Sequence, residues 1–153
     1  MQKNTSVRFN DEARTSLYNG VKILSDAVTT SLGPLGMNVA IAKANEKGEI
    51  YENIILHDGV SIAKEVMPKE PYERLGAEVV REAAQKQVME CGDGTTVTIL
   101  IAQSMIEQAL KQVSMGINPM SLRRKLEQDV DKLCILLDKM SIKVKTLDQK
   151  KQI

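Results

Sequence analysis

The sequence predicts a mainly α-helical fold, a helical bundle with one small β-hairpin. Three observations lead to this prediction. Long segments repeat apolar residues every three or four positions, which is the spacing of an amphipathic helix. Only two short runs are rich in β-prone residues, and glycine or proline stands where most helical segments end. The chain has 153 residues, 42% of them hydrophobic, so it is long enough for one domain with a core.

The composition excludes several classes of function. The 21 basic and 20 acidic residues leave a net charge of +1, and the chain has only three tyrosines, one phenylalanine and no tryptophan. We therefore expect neither a nucleic acid nor a membrane as partner. No apolar run approaches the roughly 20 residues that span a bilayer, and no secretory signal opens the sequence. Cys91, Cys134 and the single His57 are too few for a disulfide framework or a zinc site, which favours a reducing, cytoplasmic location.

The first third of the chain predicts a helix followed by a hairpin. Apolar residues recur at helical spacing over residues 10–31, and Gly33-Pro34 ends this helix. Two β-prone runs, residues 39–41 and 54–56, flank a polar tip and predict the hairpin. Two strands alone are marginally stable in water, so the hairpin needs a surface to pack on, and residues 6–9 are a candidate third strand.

The rest of the chain predicts four more helices, over residues 60–66, 70–90, 95–115 and 119–140. The helix that begins at Thr95 is apolar on several faces, which predicts a central, buried position. Asn118-Pro119 predicts an N-cap with proline at the first helical position. In the last helix, six residues are predicted to face inward: Leu126, Val130, Leu133, Cys134, Leu137 and Met140. Both cysteines are interpreted as small core residues.

The segment Gly92-Asp93-Gly94-Thr95-Thr96 is the strongest candidate for chemistry. Its two glycines let the backbone approach a ligand closely, and the free N–H groups at the start of the next helix favour an anion such as phosphate. Asp93 would repel a bare phosphate, which points to a bridging Mg²⁺. No Gly-Lys-Ser/Thr follows, so the segment is not a Walker P-loop. The alternative is a plain helix–helix turn in which the aspartate and threonines serve as caps.

Two weaker candidates stand at other turns. The loop over residues 31–36 could pass beside a ligand or could simply end its helix. Asp58, at the end of a predicted strand, could orient a water molecule, although Asp-Gly is also a common turn. His57 beside it is more often a structural or exposed histidine than a functional one.

Four blocks taken in order resemble the group I (GroEL-type) chaperonins, and the resemblance covers residues 7–141. The blocks are Leu32-Gly33-Pro34-Leu35-Gly36-Met37-Asn38-Val39, Asp58-Gly59-Val60-Ser61-Ile62-Ala63-Lys64-Glu65, Gly92-Asp93-Gly94-Thr95-Thr96 and Gly116-Ile117-Asn118-Pro119-Met120. The resemblance implies that residues 1–140 are a partial equatorial domain, the ATP-binding helical bundle of the family. Residues 141–153 would then be the start of the intermediate domain, or a tail.

The resemblance also implies a set of ligands and partners. The cofactors would be ATP, Mg²⁺ and K⁺, with Asp93 holding the metal and Asp58 positioning the attacking water as the catalytic residue. The nucleotide would contact Ser31, Leu32, Gly33, Pro34, His57, Asp93, Gly94, Thr95, Thr96 and Val97. The hairpin would reach a neighbouring chaperonin subunit of a ring. Unfolded clients would bind only through an apical domain that this sequence lacks.

Several residues depart from the family pattern. His57 stands where the family usually has lysine, and Val97 stands where it usually has a third threonine, which removes a hydroxyl donor. The chain also lacks the family segment that carries a second catalytic aspartate. These departures leave ATP hydrolysis undecided, so two functions remain open. The chain is either the ATP-binding part of a folding machine or a non-hydrolysing module that binds other subunits through its hairpin and exposed apolar face.

Overall fold

The structure, a computed structural model, describes residues 7–45, 47–142, 144 and 150–151. Within these residues it contains five helices and one hairpin: α1 (Asn10–Thr29), β1 (Val39–Ala44), β2 (Ile50–Leu56), α2 (Gly59–Glu65), α3 (Pro71–Cys91), α4 (Thr95–Ser114) and α5 (Pro119–Met140). The predicted mainly α fold is confirmed, and all element ends but the start of β2 lie within three residues of their predicted positions. None of the described helices combines the length and apolar character needed to cross a membrane.

The chain divides into two compact units, Met1–Gln108 and Ala109–Ile153. The predicted domain boundary near residue 140 stays a prediction. Ser6 and most of the predicted tail after residue 142 lie outside the described residues.

Helices α1 and α3 pack closely through two glycines. A Cβ atom built on Gly20 of α1 would lie 1.7 Å from the carbonyl oxygen of Glu73 in α3. A Cβ atom on Gly76 of α3 would lie 1.9 Å from the carbonyl oxygen of Leu17 in α1. Both distances are far below van der Waals contact, so the two backbones can approach this closely only because neither position carries a side chain.

The core of the first unit lies beside this crossing. It consists of small and branched apolar residues from α1, α2, α3 and α4 and of Val66, which directly follows α2: Val21, Leu24, Val28, Ile62, Ala63, Val66, Ala77, Val80, Ala84 and Ile99. The helical spacing of the first helix predicts an apolar face formed by Leu17, Val21, Leu24, Val28 and Leu32. This prediction is largely confirmed, because Val21, Leu24 and Val28 are buried. In α3 the spacing predicts a stripe of Leu75, Val79, Val80, Ala83, Ala84 and Val88. That prediction is only half right, because Val80 and Ala84 are buried whereas Leu75 and Val79 are exposed.

The hairpin packs on this core with one face. Val39 pairs with Leu56 and Ile41 with Ile54 in an antiparallel register, and an irregularity follows Lys43. Val39, Ile41 and Leu56 pack against the core, so the surface that the hairpin requires is supplied within the same unit. The prediction of a third strand over residues 6–9 is wrong for the described part, because the sheet has two strands and residues 7–9 belong to none.

The predictions of burial in α4, in α5 and at the cysteines are wrong. In α4 only Thr95 and Ile99 are buried, and α5 has no buried residue. Cys91 and Cys134 are both exposed. An all-round apolar helix is buried only if neighbours surround it, and among the described residues such neighbours surround only the first turns of α4.

Candidate functional site

The helix ends beside the three predicted loops lie close together in the first unit. A Cβ atom on Gly59, the first residue of α2, would lie 2.0 Å from Thr96 Oγ1 in the first turn of α4. The same Cβ would lie 3.3 Å from Val28 Cγ1 in the last turn of α1. His57 and Asp58 directly precede this glycine, Asp93 and Gly94 directly precede α4, and the loop with Ser31 directly follows α1. The glycine therefore lets three helix ends converge.

The loop before α4 has the backbone expected of an anion-binding turn. Gly92 has φ 83° and ends α3, since its N–H donates to the Val88 carbonyl at 2.8 Å. Gly94 has φ 102°, a value that L side chains rarely adopt. The N–H of Thr98 donates to the Gly94 carbonyl at 2.9 Å, so the N–H groups of residues 95–97 precede the first intrahelical bond. These groups and the helix dipole favour a negative charge.

The three side chains at the start of α4 differ in exposure. Thr95 is 6% exposed, and its hydroxyl oxygen is buried without a hydrogen-bond partner among the described residues. Thr96 is half-buried beside Gly59, whereas Val97 is half-exposed. At this end of the helix Thr95 can therefore offer its backbone N–H to a surface ligand, while its hydroxyl is enclosed.

The loop after α1 is a compact exposed turn. The Ser31 hydroxyl donates to the Val28 carbonyl at 2.8 Å, which completes the end of α1. The N–H of Met37 donates to the Thr30 carbonyl at 2.8 Å and folds the loop back on the helix. The other three predicted ligand residues, Leu32, Gly33 and Pro34, are exposed at its tip. The loop can thus present its backbone, while the Ser31 hydroxyl already has a local partner.

Asp58 caps α2. Its Oδ2 accepts a hydrogen bond from the Ser61 N–H at 2.8 Å, and this bond lowers the pKa of the Asp58 carboxyl. An ionised, hydrogen-bonded carboxylate is a weak base, but its second oxygen can still accept a hydrogen bond from water. His57 beside it is exposed. The structure therefore assigns Asp58 a capping contact, and its role in positioning water stays a prediction.

We expect Asp58→Ala to destabilise the chain by about 1 kcal/mol, the usual effect of losing an N-cap, which lowers the thermal midpoint by about 3 °C. Asp58→Asn is the matched control, because asparagine caps as well as aspartate. A carboxyl whose folded-state pKa is lowered contributes full stability above its ordinary pKa of about 4 and loses it as the pH falls through the folded-state value. The difference between wild type and Asp58→Ala should therefore shrink below about pH 4 in circular-dichroism melts. Equal midpoints for the alanine and asparagine variants at pH 7 would contradict the capping role.

A buried arginine that the sequence analysis missed holds α2 against α3. Arg81 is 6% exposed, its Nε donates to the Ala63 carbonyl at 2.7 Å and its Nη2 donates to the Val66 carbonyl at 2.5 Å. These carbonyls close the C-terminal end of α2, where a positive charge is favourable. Because α2 begins at Gly59, Arg81 helps to fix the position of the helix that Asp58 caps. An arginine inside an otherwise apolar helical stripe was the available signal.

The donor set at the loop fits a magnesium ion held together with phosphates better than a metal held by protein alone. No group of three or more His, Cys, Asp or Glu side chains that could hold a metal occurs among the described residues. Asp93 is an exposed single carboxylate, whose Oδ1 accepts the Gly94 N–H at 2.6 Å. Magnesium usually takes one or two carboxylates and completes its shell with water and substrate phosphates. One carboxylate beside an anion-binding helix start meets that requirement.

The fold and the comparisons define the class of protein. Residues 24–153 match the TCP-1/cpn60 chaperonin family. The chaperonin GroEL of Carsonella ruddii (strain PV) is 41% identical over 136 residues, which are 89% of this chain and 25% of that relative. The crystal structure of a group III chaperonin in the open state matches with a TM-score of 0.72 at 27% identity, over 87% of this chain and 25% of that chain.

The chain belongs to the TCP-1/cpn60 chaperonin family, and its helices and hairpin match the fold of the chaperonin equatorial domain. Membership of the chaperonin family is thus confirmed. The matches include both a GroEL and a group III chaperonin, so the predicted assignment to group I stays a prediction. It spans about a quarter of the length of these relatives.

Proposed function

We propose that this chain is the nucleotide-binding part of a chaperonin subunit and binds ATP with Mg²⁺ at the junction of α1, α2 and α4. The observation that carries the proposal is the contact between Gly59 and Thr96, which brings the Asp58 turn to the glycine loop before α4. Family membership supports it, because the same loop carries the residues that resemble the chaperonin nucleotide motif.

Each element of the junction has a distinct role in this proposal. The N–H groups of residues 95–97 donate to phosphate oxygens at the positive end of α4, and the Thr96 hydroxyl adds a donor. The exposed turn with Leu32, Gly33 and Pro34 lines the nucleotide. Asp93 would hold Mg²⁺, which supplies charge neutralisation at the phosphates when bound. The family resemblance adds K⁺ as a further cation.

The residues at the site support ATP binding more strongly than ATP hydrolysis. Asp58 is the proposed water-positioning residue, and its cap leaves one carboxylate oxygen for that task. His57 replaces the lysine that the family usually has near the phosphates, so the ammonium group of that lysine is absent. Val97 has no hydroxyl to offer. These substitutions weaken the stabilisation of charge that phosphoryl transfer requires, while the backbone donors remain.

The proposed partners are other chaperonin subunits, in a cytoplasmic assembly. Exposed residues of β2 support this part of the proposal, because Ile50, Tyr51 and Ile55 are large apolar residues that are 61–71% exposed. A hairpin that packs on its own core and still exposes large apolar side chains is suited to a protein partner. Protein folding by the assembled machine, with unfolded proteins as clients, is the function proposed for the whole subunit.

Thermal melts of the chain with and without Mg-ATP test nucleotide binding. A ligand present at about 100 times its dissociation constant adds about 2.7 kcal/mol, which should raise the midpoint by several degrees. We expect Asp93→Ala to abolish most of this increase, because the metal loses its carboxylate. Glu90→Ala is the control, since Glu90 is an exposed acidic residue in the last turn of α3.

Two results would contradict the proposal. The first is a wild-type midpoint that does not change at millimolar Mg-ATP in a chain that melts cooperatively. The second is an increase that survives in Asp93→Ala and disappears in Glu90→Ala. ATP without Mg²⁺ should give a smaller increase than Mg-ATP, which separates the metal from the phosphate contacts.

A further inference from the structure

A cavity of about 300 Å³ lies between α2, α3 and α4. Its walls are mainly apolar and include Val60 of α2 and Ala84 and Val88 of α3. Lys64 and Met89 also line it and are exposed, so the cavity opens to solvent. All of its lining residues belong to these three helices of the first unit, and the packing of the three helices therefore forms the cavity.

Thr95 lines the end of this cavity at the start of α4. The residue is 6% exposed, and its Oγ1 has no hydrogen-bond partner among the residues that the structure describes. A buried hydroxyl without a partner is unfavourable and is uncommon in folded proteins. A ligand in the cavity lies beside this hydroxyl and can supply the missing hydrogen bond.

The opposite end of the cavity is positively charged. Arg81 lines it, and the bonds of its guanidinium to the Ala63 and Val66 carbonyls place that group at the C-terminal end of α2, where Lys64 also stands. The acidic contact of Arg81 is long, with 3.5 Å between its Nη1 and Glu78 Oε1. The described lining residues include no aspartate or glutamate. Two cations without an acidic residue in the cavity favour an anionic group, above all a carboxylate.

The two polar ends are separated by the apolar walls. The start of α2 lies at the threonine end, because a Cβ atom on Gly59 would lie 2.0 Å from Thr96 Oγ1. Lys64 stands more than one turn further along α2. On the facing wall, α3 runs from Arg81 at the charged end to Val88 beside the loop that leads into α4. At a rise of about 1.5 Å per residue, that part of α3 spans about 10 Å.

We propose that this cavity binds a small amphipathic carboxylate with a hydroxyl at its far end. The carboxylate pairs with Lys64 and Arg81, the apolar chain lies between α2 and α3, and the hydroxyl exchanges a hydrogen bond with Thr95. Small-molecule sites usually combine apolar walls with a few polar groups that fix the orientation of the ligand. A wholly apolar molecule would leave both the cations and the Thr95 hydroxyl without partners.

NMR titrations of the isotope-labelled full chain test this proposal with three compounds of one chain length. The first, ω-hydroxyoctanoate, carries both polar ends, whereas octanoate lacks the hydroxyl and the terminal octanediol lacks the carboxylate. We expect ω-hydroxyoctanoate to bind with a dissociation constant on the order of 0.1–1 mM, as its small size dictates. Octanoate and octanediol should each bind about tenfold more weakly, because each loses the contacts of one end. Saturable shifts should centre on amides that line the cavity.

Thr95→Val tests the hydroxyl end. The substitution keeps the shape of the side chain, so it should remove the preference for ω-hydroxyoctanoate over octanoate. Without a ligand its thermal midpoint should stay the same or rise, because an unpaired buried hydroxyl is lost. Thr98→Val is the matched control, since Thr98 is half-buried in the same helix and does not line the cavity. It should keep the preference.

Lys64→Gln tests the charged end. It should weaken the binding of both carboxylates about fivefold and leave that of octanediol unchanged, because only the carboxylates pair with the ammonium group. Lys86→Gln is the matched control, since Lys86 is an exposed lysine of α3 that does not line the cavity. Both replaced lysines are exposed, so both variants should fold like the wild type.

Four results would overturn the proposal. The first is a wild-type chain without saturable shifts at about 10 mM ω-hydroxyoctanoate, which is at least tenfold above the expected dissociation constant. The others are octanediol binding as tight as that of ω-hydroxyoctanoate, a hydroxyl preference that survives in Thr95→Val, and a loss in Lys86→Gln as large as in Lys64→Gln. The titrations contain no nucleotide, so their outcome is separate from that of the Mg-ATP melts.

Discussion

Gly20→Ala should destabilise the protein by about 3 kcal/mol and lower its thermal midpoint by roughly 10 °C. The added methyl group would lie 1.7 Å from the backbone carbonyl oxygen of Glu73, so α1 and α3 would have to move apart. A backbone atom cannot rotate away as the end of a side chain can. Intrinsic helix propensity acts in the opposite direction, because alanine is favoured over glycine by about 1 kcal/mol inside a helix.

Whether Gly20→Ala lowers or raises the thermal midpoint therefore shows whether the close helix packing or the higher helix propensity of alanine dominates. Asn19→Ala is the control, because Asn19 is the exposed neighbour in the same helix and its replacement should have little effect or a stabilising one. Gly76→Ala should destabilise to a similar extent through the Leu17 carbonyl. The double variant should lose less free energy of unfolding than the two single variants lose together, because the first methyl group already separates the helices. A Gly20→Ala chain that melts at a higher temperature than the wild type would contradict the close crossing.

Arg81→Met should lower the free energy of unfolding by about 3 kcal/mol. The substitution removes both donors from the buried carbonyls of Ala63 and Val66. Methionine keeps the apolar stem, so the loss measures the hydrogen bonds more than the packing. Chemical denaturation is the appropriate measurement. Because Arg81 also holds α2, which begins at the proposed nucleotide site, the Mg-ATP increase in midpoint should shrink in the same variant.

Two further variants separate the contacts of Arg81. Arg81→Lys should recover only part of the stability, since one ammonium group cannot reproduce the fork that reaches two carbonyls. Glu78→Gln removes the ion pair with Arg81, whose atoms are 3.5 Å apart, and should cost less than 1 kcal/mol because Glu78 is half-exposed. A larger loss from Glu78→Gln than from Arg81→Met would show that the ion pair, and not the carbonyl contacts, holds the helix.

The sequence was informative where local rules determine structure. Pro119 after Asn118 marks the start of α5, and the Asn118 side chain accepts the N–H of Met120 at 2.8 Å as an N-cap should. The glycines around Asp93 likewise mark a break between helices that only such residues permit. The helical periodicity of α1 correctly predicted that Val21, Leu24 and Val28 are buried, because α1 faces its core along one line.

The sequence was less informative where burial depends on distant neighbours. The apolar residues of α5 form a good stripe, but a stripe indicates which face could be buried and not whether anything covers it. Leu75 and Val79 are exposed because the glycine crossing sets the rotation of α3, so smaller residues face the core. The convergence at Gly59 also could not be predicted by spacing, since it joins residues more than thirty positions apart. Local pattern singled out the glycine loop before α4, the loop over residues 31–36 and Asp58 as candidates, and the family resemblance assigned their expected roles. The structure adds the contact between Gly59 and Thr96.

The crossing of α1 and α3 also constrains the order in which the chain can fold. The two glycine contacts join residues more than fifty positions apart, and the hairpin and α2 lie between them in the sequence. Closing such a long loop has an entropic cost that local contacts do not compensate. During synthesis, α1 and the hairpin therefore emerge from the ribosome before the surface on which they pack exists. The core should form only when α3 follows, which makes α3 the segment whose release sets the rate of folding.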